Sequence, residues 1–293
     1  MRVVPGEVKT AELHAYLLGA IAPRPICFAS TVDSEGRPNL SPFSFFNVFG
    51  SNPPTLIFSP SRRVRDNTVK HTLENIYATK EVVINVVSYA MVQQASLSSC
   101  EFPRGVNEFE KAGFTPVPSE KIKPFRVQES PVQMECIVKQ VIETGTGGGA
   151  GNLVICEPVL LHISENILNA EGRIDPQKID LVARMGADYY CRASGSAVFE
   201  VAKPNLQLGI GVDALPKGIR NSRILTGNNL GQLGNVHEMP AIDASFHDDH
   251  LKNIIQYYSI SPDEMEKELH LYAKQLLEQG KVAEAWQVLL AGN

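Results

Sequence analysis

The chain reads as a mainly β protein, an antiparallel barrel with helices packed on it, followed by a helical extension at its C-terminal end. Three observations predict this. Strand-length apolar runs crowd residues 25–163 without regular βαβ alternation, and successive strands of that kind pair antiparallel and close up. Short helical patterns fall between those runs rather than after each of them. Past residue 244 the hydrophobic period becomes that of amphipathic helices.

Taken in order, PICFASTV (25–32) is the first strand and DSEGR its turn. NLSPFSFFNVF (39–49) reads as the next strand. TLIFS (55–59) and VVINVVS (82–88) are rich in β-branched and aromatic residues and have strand rather than helix length. Between them, Val69, Leu73, Ile76 and Tyr77 share one face of a helix over 66–78, with Asp66 as its N-cap. Two further short helices are expected over 90–99 and 106–112. VQMECIVKQVIE (132–143) alternates apolar and polar residues and pairs with NLVICEPVLLHIS (152–164) across a Gly-rich break. Residues 204–244 carry Gly, Asn and Leu with no clear period. MEKELHLYAKQLLEQ (265–279) then sets Met265, Leu269, Tyr272, Leu276 and Leu277 on one side, Gly280 stops that helix, and VAEAWQVLL begins another. The expected domains are 1–203 and 204–293, the second a lid or interface.

With 43% hydrophobic residues in a chain of 293, wholesale disorder is ruled out. The charge balance, 27 Lys and Arg against 32 Asp and Glu, lacks the basic excess of a nucleic-acid binder. No apolar stretch approaches the ~20 residues a membrane helix needs, and the first residues hold no signal core. No membrane partner and a cytoplasmic location are expected. Cys27, Cys100, Cys136, Cys156 and Cys191 are widely spaced and odd in number, which suggests buried reduced thiols.

TGTGGGAGN (144–152) contains G-x-G-x-x-A, but a strand rather than a helix follows it, so a hairpin loop is the better reading. His247 and His250 in FHDDH read as a solvated helix start, not a metal pair. No G-x-S-x-G elbow is present. Two segments say more. In SPSRRVRDNTVKHTLENI (59–76), Arg62, Arg63 and Arg65 precede a helix start holding Asp66, Asn67 and Thr68. That combination suits a phosphate, and suits a solvated basic loop equally well. In NLSPFSFFN (39–47), Ser41, Ser44 and Asn47 stand among Phe43, Phe45 and Phe46. Donors beside flat apolar surface are what an isoalloxazine ring requires, though phenylalanines on a strand also simply make core.

In order along the chain, APRPICFASTVDSEGRPNLSPFSFFN (22–47), SNPPTLIFS (51–59), RDNTVKHTLENI (65–76), EFEKAGFTPVPSEKIKPFRVQESPVQMEC (108–136) and DLVARMGADYYCR (180–192) resemble the flavin reductase-like FMN-binding split-barrel family, which includes flavoredoxin. The resemblance spans roughly 20–203. It implies a six-stranded antiparallel Greek-key barrel and a homodimer with FMN in a groove at the subunit interface. Asn39, Ser41, Pro42, Phe43, Ser44 and Asn47 then lie along the flavin edge. Ser59, Arg62, Arg63, Arg65, Asp66, Asn67 and Thr68 fall at the phosphate end, where the family commonly has Lys-Asp-Thr. Arg65 replaces the lysine, and one inserted residue leaves Asn67 and Thr68 competing for the threonine's place. Tyr189, with Tyr190, matches aromatics near the groove, or packs an interface. The implied activity is hydride transfer from NADPH or NADH to flavin, with no catalytic triad. A flavoredoxin-like electron carrier serving a redox partner protein, and a flavin-free binding or scaffold protein, are the alternatives.

Overall fold

The protein was analysed as a computed structural model describing residues 1–204 and 207–292. It divides into two compact units, Met1–Phe199 and Glu200–Asn293.

The first unit begins with helix α1 (Thr10–Ala20) and strands β1 (Cys27–Val32), β2 (Pro38–Phe43), β3 (Phe46–Ser51) and β4 (Pro54–Phe58). Helix α2 (His71–Thr79), strand β5 (Glu81–Val86) and helices α3 (Val92–Leu97) and α4 (Glu108–Ala112) follow. Two-residue strands β6 (Pro116–Val117) and β7 (Arg126–Val127) precede the long pair β8 (Val132–Glu143) and β9 (Asn152–Ile163), then β10 (Leu181–Arg184) and β11 (Tyr190–Ala193).

The main sheet runs β2-β1-β5-β8-β9-β4-β3, antiparallel throughout. It therefore has seven strands where six were expected, because 39–49 is not one strand. The chain breaks at Ser44 and Phe45, and the halves become β2 and β3 on opposite edges. Laid flat, seven strands would separate those edges by about 29 Å. Three Cα steps from Phe43 to Phe46 reach at most about 11 Å. The sheet must curl until its edges meet.

Inside the curl, alternate residues of the strands make one core: Cys27 and Ala29 of β1, Phe43, Phe58, Val82 and Ile84, with Leu73 and Ile76 of α2. The opposite faces of β1 and β2 carry Phe28 and Leu40 into a second core with Phe109 of α4 and Phe114. The hairpin expected from 132–164 is present as β8 and β9, and the Gly-rich segment is its loop. Three thiols, Cys27, Cys136 and Cys156, are buried in the first core, whereas Cys100 is exposed and Cys191 partly so. Burial pushes Cys27 and Cys136 well up and Cys156 to about 12.

Helix α2 begins at His71, five residues later than expected, and Asp66 does not cap it. Asp66 instead spends its carboxylate on its own turn: Oδ1 accepts from the Thr68 amide at 3.0 Å and hydroxyl at 2.6 Å. Asn67 stands at φ 59°, a left-handed geometry that no helix propagates. Tyr77, expected on the buried face, is exposed and donates to Glu143 Oε1 at 2.7 Å.

In the second unit, the stretch before residue 245 holds two short helices that its sequence did not suggest, α5 (Lys217–Arg220) and α6 (Gly227–Gly234). Thr226 and Asn229 close a capping box on α6. Asp248 N-caps α7 (Asp249–Tyr257), and His250 packs edge-on to Tyr272. Helices α8 (Pro262–Glu278) and α9 (Val282–Leu290) follow, separated at Gly280, whose φ is +75°. Leu269, Leu276 and Leu277 are buried with Trp286, and Met265 and Tyr272 pack against them. No described helix is long and apolar enough to cross a membrane.

Arg24 ties the first unit's ends together. Its guanidinium donates to Leu18 O and Ile21 O, both at 2.6 Å, and to Met185 O at 2.8 Å. A cation thereby answers the last carbonyls of α1, while Arg24 and Arg184 form a backbone bridge to the β10–β11 hairpin. Arg24→Met keeps the apolar stem and strands those carbonyls. It should lose about 2–4 kcal/mol, a fall of ~5–15 °C in the unit's thermal midpoint by calorimetry.

Candidate functional site

As an edge strand, β2 pairs only with β1, so its other side needs partners. Helix α4 supplies one: the Leu40 amide donates to Glu108 Oε2 at 3.1 Å, and burial pushes that carboxyl upward. Asn39 Nδ2 donates to Thr72 Oγ1 at 2.9 Å and Thr31 Oγ1 at 3.3 Å, pinning the strand to α2 and β1. Ser41 is buried, and its hydroxyl has no hydrogen-bond partner among the described residues.

Two cavities follow one another along this strand. Asn39 and Ser41 line the first, a crevice of only about 20 Å³, together with Arg63, Lys70, Glu101 and Glu108. Pro42, Phe43 and Ser44 line the second, about 460 Å³, with Ser96, Ser99, Arg184 and Tyr190. That volume falls within the range of small-molecule sites.

The arginine loop is braced against the hairpin loop. The Arg62 amide donates to Ala150 O at 2.9 Å, the Gly149 amide to Arg62 O at 3.0 Å, and Asn67 Nδ2 to Thr146 O at 3.0 Å. A Cβ on Gly148 would stand 2.9 Å from Val64 O and 3.0 Å from Arg63 O. The Gly run is there for that close approach.

Within the loop, Arg63 Nη1 donates to Thr68 Oγ1 at 2.7 Å and Val69 O at 3.0 Å, and Nε donates to Glu101 Oε1 at 2.8 Å. Arg65 pairs with Asp66 at 3.1 Å and with the other Glu101 oxygen. Arg62 Nη1 reaches Asn67 O at 3.0 Å, while its Nε is buried without a partner among the described residues. Bonds from the Thr68 hydroxyl and amide, then Arg65, hold the Asp66 carboxyl at about 2. Lys70 is pulled down chiefly by burial and less by Arg63, with Glu101 opposing.

The remaining expected residues are placed differently. Ser59 is buried and accepts from the Asn152 amide at 3.0 Å, welding the end of β4 to β9 beneath the loop. Asn47 sits on exposed β3, where its Oδ1 accepts from the Val48 amide at 2.8 Å, and it lines neither cavity. Tyr189 is 74% exposed, and its neighbour Tyr190 lines the second cavity instead, 4.7 Å beneath the Arg184 guanidinium. Sequence reasoning passed over Lys70, Glu101 and Glu108. Lys70 lies inside the quoted arginine segment and was legible there. Nothing local marked the two glutamates.

Fold and cleft define an antiparallel barrel with a pocket of mixed charge beside its edge strand. Residues 19–176 match the model of the flavin reductase like domain, and the chain belongs to that family. A protein of Aquifex aeolicus (strain VF5) is 36% identical over 69% of this chain and 100% of its own length. Among solved structures, nitrilotriacetate monooxygenase component B from Bacillus cereus superposes with a TM-score of 0.63 at 28% identity, covering 69% of this chain and 98% of that one. Flavoredoxin of Desulfovibrio vulgaris (Miyazaki F) shares the fold, with a TM-score of 0.53 at 24% identity over 70% of this chain and 98% of that one. The family model ends before the second unit.

Gly148→Ala tests the brace. The added methyl must push the arginine loop aside, at a cost of about 1–3 kcal/mol to its closed form. Trypsin cleavage after Arg62, Arg63 or Arg65, read by mass spectrometry, should accelerate roughly tenfold with the thermal midpoint little changed.

Proposed function

We propose that this chain binds FMN in the cleft along β2 and acts as an NAD(P)H-dependent flavin reductase. The observation that carries the reading is that Asn39 and Ser41 of β2 share one narrow crevice with Arg63 and Lys70. The family supports a flavin as the cofactor, and the donor set fits one with a phosphate. Arg63 lines that crevice, and guanidinium forks match phosphate oxygens, whereas Arg62, whose buried Nε–H has no partner among the described residues, lines neither cavity. Arg63, Arg65 and Lys70 would hold the phosphate, with the Thr68 turn fixing Arg63's aim. Asn39, both of whose donor bonds go to threonines, offers Oδ1 to a ring N–H, and the Ser41 hydroxyl is uncommitted. Phe43 and Pro42 supply apolar cover in the larger cavity.

A bound FMN would supply the redox chemistry, with NADPH or NADH as the hydride donor. The chain's part is to bind, orient and cover. Glu108 stays committed to the Leu40 amide, and burial raises its carboxyl above the usual range.

A homodimer is part of this proposal. The outward residues of β9 include Val159, Leu161 and Ile163, exposed by 44%, 49% and 40%, with Ile142 of β8 also exposed. A row of aliphatics on a sheet face is costly in water. A second copy laid on the same row satisfies it symmetrically.

Anaerobic titration of FMN-loaded protein with NADPH and with NADH tests the activity. The 450-nm flavin band should bleach within ~10 s, as expected for kcat values near the usual enzyme range. A flavin that stays oxidised with both donors, yet bleaches with dithionite, makes the chain an electron carrier. A protein that takes up no FMN makes it a scaffold. For the phosphate end, replacing Arg63 and Arg65 together by alanine removes charge-assisted bonds worth about 1.5–3 kcal/mol each. FMN affinity by fluorescence quenching should fall roughly a hundredfold or more.

A further inference from the structure

We infer that Glu101 is an internal competitor for the flavin's phosphate, keeping FMN exchangeable rather than permanently held. This rests on the FMN reading above. The two oxygens of the Glu101 carboxylate take one guanidinium each: Oε1 accepts from Arg63 Nε at 2.8 Å, and Oε2 from Arg65 Nη2. Two arginines of one loop converging on two oxygens of one anion is the arrangement by which they would grip a phosphate.

The seat does not depend on Glu101. Arg63 is aimed by Thr68 Oγ1 and Val69 O, and the loop beneath it by the hairpin. Glu101 comes from elsewhere, on the connection between α3 and α4, and its side chain is 40% exposed. That connection holds Gly105 at φ +87°, and few of its own hydrogen bonds involve residue 101. The seat is built, and its present occupant is only tethered.

Charge decides the competition. Arg63 and Arg65 face Glu101, Lys70 is coupled to all three, and Asp66 is already committed to Thr68 and Arg65. A phosphate carrying about two negative charges cannot share the arginines with Glu101 without strong like-charge repulsion. Phosphate binding therefore expels the carboxylate, and part of the gain from the two arginines goes to breaking their existing ion pairs. A flavin without a phosphate leaves Glu101 where it is. A reductase that hands reduced flavin to another enzyme benefits from such a brake on affinity, whereas a carrier with a fixed flavin has no use for it.

The test is Glu101→Gln, which keeps the shape and one acceptor but removes the charge. FMN binding, followed by quenching of flavin fluorescence, should tighten roughly tenfold, chiefly through slower release, and riboflavin binding should not change. Weaker or unaltered FMN binding in the variant overturns the proposal, since Glu101 would then position the arginines or be idle. An equal gain for riboflavin overturns it too, because the effect would not lie at the phosphate. A wild-type protein that binds neither flavin defeats the FMN reading itself and the proposal with it.

Discussion

The whole first unit depends on one short piece of chain, Ser44 and Phe45, that joins the sheet's two edges. Because the link is shorter than the sheet is wide, curvature is imposed by connectivity. The core follows from it, since only a curled sheet turns Cys27, Phe43, Phe58 and Ile84 toward one another. So does the cleft. Closure by a covalent link rather than by a full hydrogen-bonded ladder leaves β2 with one unpaired side, and an unpaired strand side has to be answered. Glu108 answers the Leu40 amide from α4, while Asn39 and Ser41 face a pocket rather than another strand. The split in the barrel and the polar strand beside it are one feature.

The cationic side of the cleft has its own chain of support. Ser59 and Asn152 join β4 to β9, the Gly-rich loop of the β8–β9 hairpin lies on the backbone of residues 62–64, and Asp66 folds the turn that aims Arg63. The arginines, half-buried at 62 and 63 and exposed at 65, would sample many directions on a free loop. Glycines and one aspartate hold that loop in place.

Much of this was legible in the sequence. The strands, the hairpin across 144–151 and the terminal helices announced themselves by period, because each has a single buried face. Misreadings came where a local signal and a topological demand disagreed. NLSPFSFFNVF has unbroken strand composition, and no propensity distinguishes one eleven-residue strand from two that part company at Ser44. Reading Asn47 on the same strand as Ser41 followed from that error. Asp66 has the chemistry of an N-cap, yet the left-handed Asn67 next to it turns the same side chain to a tighter, earlier turn. Arg62, Arg63 and Arg65 were visible as a cluster, whereas Glu101, 36 positions from Arg65, is a partner that only the folded chain can reveal. Lys70 was in plain view and went unused.

The thiols carry one more consequence. Sulfur is oxidised through its thiolate, and the three barrel cysteines hold their protons far into the alkaline range. They serve as compact apolar filler that a burst of peroxide in the surrounding medium leaves intact. Oxidation would fall instead on Cys100, which lines the crevice beside Ser41, and on the partly exposed Cys191, while the barrel core behind them stays whole.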